Sequence, residues 1–285
     1  MKKLTPPAID SDKIYKDITR KSRSRDKKER LTRLEQHVLE RYVEYDSKKN
    51  SLENITKSEI ATQEDKDALL SCYSRNKDGY LEGEVVATII SIQSIQHKQK
   101  CPYCGLDKPR TIDHYIPKGK YPEFSFFPSN LIPCCGYCNS KKGETWLESG
   151  KRVFLNLYFD NIPEDDQFLF PVIEFDDKDT APTISFTLER NENINDEMFT
   201  LINSHYLKLN LLNEYSESVE EELSNIVDQI QNNPDVTIEE HKENLSRVYR
   251  TNVKKYGLNH WKSVFIRGLM QSDLFFENAK QQHIA

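Results

Sequence analysis

No stretch of this 285-residue chain approaches the roughly eighteen consecutive apolar residues of a membrane-spanning helix, so no membrane association is expected. The opening MKKLTPPAIDSDK is basic but lacks the apolar core of a secretory signal, which makes the cytoplasm the expected compartment. There is no Walker loop, no dinucleotide-binding fingerprint and no internal repeat. In a reducing compartment, closely spaced cysteines are better read as metal ligands than as disulfides.

The chain is long enough for a sizeable core and two or three structural regions. Its net charge of −6 conceals an uneven distribution. Residues 1–33 carry twelve Lys/Arg against five Asp/Glu, a local charge of +7, and residues 98–152 carry ten against five, a local +5. The remainder is left at −18. Phosphate binding responds to the local field, so two basic islands in an acidic body suit a nucleic-acid partner. Ordinary solvated faces would look the same.

Residues 1–33 read as a basic arm with little capacity to form a core. Helical spacing follows at Leu31, Leu34, Val38, Tyr42 and Tyr45, and again at Leu81, Val85, Ile89 and Ile92, ending near His97. Prolines and glycines then interrupt residues 98–150, leaving β-prone runs at 111–116 and 130–134 and a helix-compatible stretch after Cys138. Strands are predicted at 152–158, 168–175 and 183–188. Two apolar stripes, Tyr215 to Ile230 and Ile238 to Val253, predict helices, the second capped by Gly257; a further helix begins at Asn259 or His260. The expected class is α+β, mainly helical. A basic arm and helical region would occupy 1–97, a central module 98–150, and short strands followed by helices 151–285.

The central module carries the chemistry. CPYC and CGYC place Cys101, Cys104, Cys135 and Cys138 in two C-x2-C knuckles thirty residues apart, the spacing of a four-thiolate structural zinc site. Cys134 is a spare: strand alternation points it away from Cys135. The histidines His37, His97, His205, His241 and His283 lie on helical or terminal segments without partners at ligand spacing. Phe124, Phe126 and Phe127 read first as loop packing and second as base-stacking surfaces.

Between and behind the knuckles stand DHYIP, NL and CNSKK. Together with the cysteines they resemble the HNH endonucleases, the ββα-metal type with a four-cysteine zinc clip. The resemblance covers roughly residues 101–143. Its DHYIPK and NLIPC elements also resemble HNH proteins of prokaryotic anti-phage defence systems, Septu-like or retron-associated. It implies a general base at His114, a catalytic divalent metal held by Asp113 and Asn139, a loop-positioning role for Asn130, and phosphate contacts from Lys141 and Lys142. Many family members have histidine where Asn139 stands; an amide oxygen beside a carboxylate favours magnesium or manganese. The expected substrate is DNA, and an ATPase would be the partner in a defence system.

Each assignment has a plainer rival. Asn139 occupies the place after its knuckle that Gly105 occupies after the first, so a backbone requirement for positive φ would also explain it. Strand alternation sets Asp113 and His114 on opposite faces unless the strand ends there. A zinc-stabilised binding module without catalysis, or an RNA-directed nuclease, would share most of these features.

Overall fold

The computed structural model describes residues 2–74, 79–175 and 182–281. Helices predominate, and the sheets among the described residues are three two-stranded antiparallel pairs, so the class is α+β. No helix among these residues is long and apolar enough to cross a membrane. The chain divides into two compact units, one of Lys3–Asn161 and one of Ile162–Ala285 with Met1–Lys2. The boundary expected at 97/98 falls inside the first unit.

The first unit corrects the reading of residues 1–33 as an arm. Helix α1, Ser11–Lys21, starts where the Asp10 side chain accepts the Lys13 N–H, and α2, Arg25–Ser47, starts on Ser24 in the same way. Ile14, Tyr15 and Ile18 form one face of α1 and are buried with Leu4 and Leu31. The Tyr15 hydroxyl donates to the Leu31 carbonyl at 2.7 Å. Apolar residues are few here, but the spacing of Ile14, Tyr15 and Ile18 puts them on one side of α1, which periodicity rather than composition reports.

Helix α3, Gln63–Leu70, is tied to α2 by Arg30 and Arg33, which both meet Asp65. The helix predicted to run to His97 is broken. A π-type turn at Leu81–Val86 passes into α4, Ala87–Ser91, and Ser94 caps a separate α5, Ile95–Gln99. Strands β1, Thr111–His114, and β2, Leu131–Cys134, pair as a hairpin, followed by α6, Gly136–Lys142. This is the predicted order of strand, loop, strand and helix, with the helix starting four residues before SKKGETWLES and ending at Gly143, whose φ is 52°. A short hairpin of β3, Leu147–Glu148, and β4, Lys151–Arg152, follows. The strand predicted at 152–158 stops at Arg152, because Asn156 and Asp160 turn the backbone: Asp160 accepts the Asn156 N–H and Asn156 accepts that of Tyr158.

The second unit follows the sequence closely. Strands β5, Leu169–Glu174, and β6, Thr183–Leu188, pair in full register. Helices α7, Asp196–Lys208, α8, Leu211–Gln231, and α9, Ile238–Tyr256, come next. Thr237 and Glu240 close a capping box at the start of α9, and Gly257 ends it with φ 99°. His260 caps α10, Trp261–Met270, and α11 spans Asp273–Gln281. His283 lies outside the described residues.

Candidate active site

The hairpin of β1 and β2 sets Asp113 opposite Ile132 and His114 opposite Leu131. The four knuckle sulfurs gather at its open end. Cys101, Cys104, Cys135 and Cys138 are buried, with ligand atoms all within 4.8 Å of one another. Backbone N–H groups of Leu106, Cys135 and Cys138 point at three of the sulfurs, at 3.3 to 3.4 Å, which is how a knuckle stabilises thiolate. The Cys135 thiol is pulled far below its ordinary range by donation from the other three, whereas those neighbours push Cys138 far above. A bound divalent cation is what lets all four ionise together, and four thiolates are zinc's structural donor set. Cys134 faces away, with its sulfur 3.3 Å from the Thr111 hydroxyl, as strand alternation predicts.

Asp113, His114 and Asn139 line one cavity of about 360 Å³, together with Thr111, Ile112, Pro117 and Gly143. Strand β1 ends at His114, and its side chain shares the cavity with that of its neighbour. The imidazole Nε2 lies 2.7 Å from the Ser125 carbonyl oxygen. A carbonyl only accepts, so Nε2 carries the proton and Nδ1 is the basic nitrogen. Burial, followed by the charges of Lys118 and Lys142, pushes the His114 pKa down to about 3, so the ring is neutral throughout the physiological range. That is well below the ordinary histidine value near 6.5.

Asp113 is 2% exposed. Its Oδ2 accepts from the Tyr103 hydroxyl at 2.8 Å and its Oδ1 from the Lys142 ammonium at 3.0 Å. Lys142 also donates to the His114 carbonyl at 2.9 Å and is 1% exposed. Its assignment as a phosphate contact is therefore corrected: both lysines lie in the last turn of α6, not the first, and Lys142 is turned inward as the counter-ion of Asp113. Lys141 is exposed, with its ammonium 5.6 Å from the centre of the Tyr137 ring.

Asn139 lies inside α6 and donates its N–H to the Cys135 carbonyl, so no positive φ is involved and the backbone explanation for it fails. Gly105, its counterpart, does need that conformation, with φ 70°. Among the described residues the Asn139 side-chain amide makes no hydrogen bond. Two carboxylate oxygens offer about four lone-pair directions, of which Tyr103 and Lys142 occupy two. The Asp113 carboxylate and the Asn139 amide oxygen, which line the same cavity, are both hard donors of the type that divalent cations take.

Asn130 is fully buried. Its Oδ1 accepts the Ile116 N–H at 2.8 Å, and its Nδ2 donates to the carbonyls of Ile116, at 2.9 Å, and Phe124, at 3.2 Å. These bonds hold together both ends of the loop that follows His114. Asn130→Ala should cost about 2–4 kcal/mol, because it leaves several buried backbone groups unpaired, and a urea melt would register it. Phe124, Phe126 and Phe127 are also buried; Phe127 stacks on Tyr42 at 4.3 Å and Phe126 on Tyr15 at 5.7 Å, so they pack the loop.

Residues 101–145 match the HNH endonuclease family. The HNH segment contains both knuckles, the hairpin and α6. Protein ea31 of Escherichia phage lambda is 31% identical over 134 residues, which is 46% of this chain and 44% of that protein. The chain thus matches less than half the length of this relative, whose name states no activity. No solved structure matches. Tyr73, Tyr103 and Ser125 meet the site residues without having been singled out from sequence for that part; of these, Tyr103 alone had a signal, as the tyrosine at the third position of its knuckle. Lys118, beside the Gly119 turn, reads from sequence as a solvated residue, yet it lines the cavity.

Proposed function

We propose that this chain is a metal-dependent HNH endonuclease that hydrolyses phosphodiester bonds, with DNA as its substrate. The observation that carries the reading is the convergence of Asp113, His114 and Asn139 on one cavity beside a four-cysteine cluster. A zinc-stabilised binding module needs the cluster but none of the three. His114, fixed through Nε2, presents Nδ1 to take a proton from water as the water oxygen bonds phosphorus and the bridging P–O bond breaks, the departing oxygen taking its proton from solvent. An anionic phosphate beside the ring favours its protonated form, against the burial and, after it, the lysine charges that depress its basicity. Asp113 and Asn139 would hold the catalytic cation, which supplies Lewis acidity at the phosphate when bound. Lys142 keeps Asp113 in place from behind.

The resemblance of DHYIPK and NLIPC to HNH proteins of anti-phage systems supports a defence effector working with an ATPase in the cytoplasm. Full activity of the chain alone would argue against a gating partner. For the site itself, plasmid DNA and a matched RNA are incubated with each divalent ion in turn after zinc loading. Cleavage of DNA should be absent without an added divalent ion and should appear with magnesium or manganese. Cleavage supported only by zinc or nickel would overturn the ligand assignment, and cleavage of RNA alone would replace the substrate.

A further inference from the structure

The HNH segment supplies the carboxylate, the base and the amide, but the cavity has a wall from outside it. Tyr73, which follows α3, lies edge-on to His114, with ring centres 4.3 Å apart at 69°. The ammonium of Lys118 sits over the same tyrosine ring, 4.2 Å from its centre. Tyr73, His114 and Lys118 all line the cavity. A second tie joins the same region to the base: the Ser125 hydroxyl donates to the Leu69 carbonyl at 3.0 Å, so the residue whose carbonyl orients His114 is anchored to α3.

The cations near the site differ in what they can reach. Lys142 is sealed against Asp113 and the His114 carbonyl. Lys120 is exposed and donates to the Glu144 carbonyl at 3.2 Å. Lys141 does not line the cavity. Lys118 lines it, is half-buried, and forms no ion pair among the described residues. Glu144 also lines the cavity, but it is exposed and its carboxylate lies beside Gly119. An ammonium that is partly desolvated, held over an aromatic face and left without a carboxylate is preorganised for an anion that arrives from outside.

We infer that Lys118 is the residue that meets the substrate phosphate, and that Tyr73 is a positioning residue which fixes both the Lys118 ammonium and the His114 ring. This rests on the nuclease reading for the identity of the anion as a nucleic-acid phosphate. Every phosphate neutralised by a cation adds close to one unit to the salt dependence of binding, which gives the pair a signature that packing alone would not move.

The test uses a duplex DNA 20-mer and the full-length, zinc-loaded protein. Binding is measured across a salt series without added magnesium or manganese, and single-turnover cleavage is measured separately with either ion. Lys118→Met should weaken binding about five- to tenfold and lower the salt slope by about one, while Lys118→Arg stays within about twofold. Tyr73→Phe should preserve both rate and affinity. Tyr73→Leu should lower the single-turnover rate at saturating DNA about tenfold or more, with a smaller change in affinity, since it loosens the base as well as the lysine. Zinc content and melting temperature confirm that the variants fold. An unchanged salt slope in Lys118→Met, equal behaviour of Tyr73→Leu and Tyr73→Phe in cleavage, or no DNA binding by the wild type would each overturn the inference. Weakened binding with a reduced slope in a protein that never cleaves would uphold the lysine contact and sink the nuclease reading instead.

Discussion

Cys138→Ser should strip the zinc from the protein and dissolve the order of the HNH segment. Cys138 is fully buried and lies in α6, the helix that also carries Asn139 and Lys142. Structural zinc in small domains contributes on the order of 10–16 kcal/mol of apparent binding free energy, and the local fold depends on it. A serine hydroxyl is neither a soft donor nor ionised at neutral pH, so three thiolates remain and the cluster no longer closes around the ion. The measurements are metal content by mass spectrometry and amide exchange across residues 98–150. Wild type should hold about one zinc per chain, as a closed four-thiolate site does, and Cys138→Ser close to none. Cys134→Ala is the control, because its sulfur packs on Thr111 and faces away from the cluster. It should keep its zinc. Loss of zinc from Cys134→Ala with retention in Cys138→Ser would reverse the ligand assignment.

Much of this site was legible because its chemistry is written in spacing. Two C-x2-C knuckles demand a common point for their sulfurs, and the cluster meets that demand. The alternation of β2 separated Cys134 from Cys135, and the Asn130 side chain bonds across the loop it was expected to fix. In the second unit, the capping box at Thr237 and the glycine at 257 mark the ends of α9, because caps are local chemistry.

What sequence could not supply is direction. Lys141 and Lys142 are adjacent and identical in type, yet one is exposed and the other buried, since consecutive residues on a helix point about 100° apart. Placing the start of α6 after Cys138 put both lysines in the wrong turn. Tyr73 lies well upstream of every motif, and only the packing of α3 on the loop after His114 brings it to the base. The first thirty-three residues misled for a different reason: overall charge suggested a solvated arm, while Ile14, Tyr15 and Ile18 had the spacing of a buried face.

The proposed catalysis depends on His114. Its Nε2 is committed to the Ser125 carbonyl, its ring packs against Tyr73, and it lies in the cavity with Asp113 and Asn139. A positioned general base contributes about 10²- to 10⁴-fold to a rate, so His114→Ala should lose that much while the cysteine cluster, made by other residues, keeps its metal. The truncation also leaves the Ser125 carbonyl without its donor, at a cost of about 1–3 kcal/mol, which a thermal melt would show without loss of the fold. The decisive measurement is the rate of plasmid cleavage by wild type and His114→Ala with magnesium or manganese, alongside zinc content and melting temperature. Cleavage by wild type, reduced at least about a hundredfold in a folded, zinc-loaded His114→Ala, is the predicted result. Equal cleavage by the two proteins, or none by a zinc-loaded wild type with any divalent ion, would contradict it.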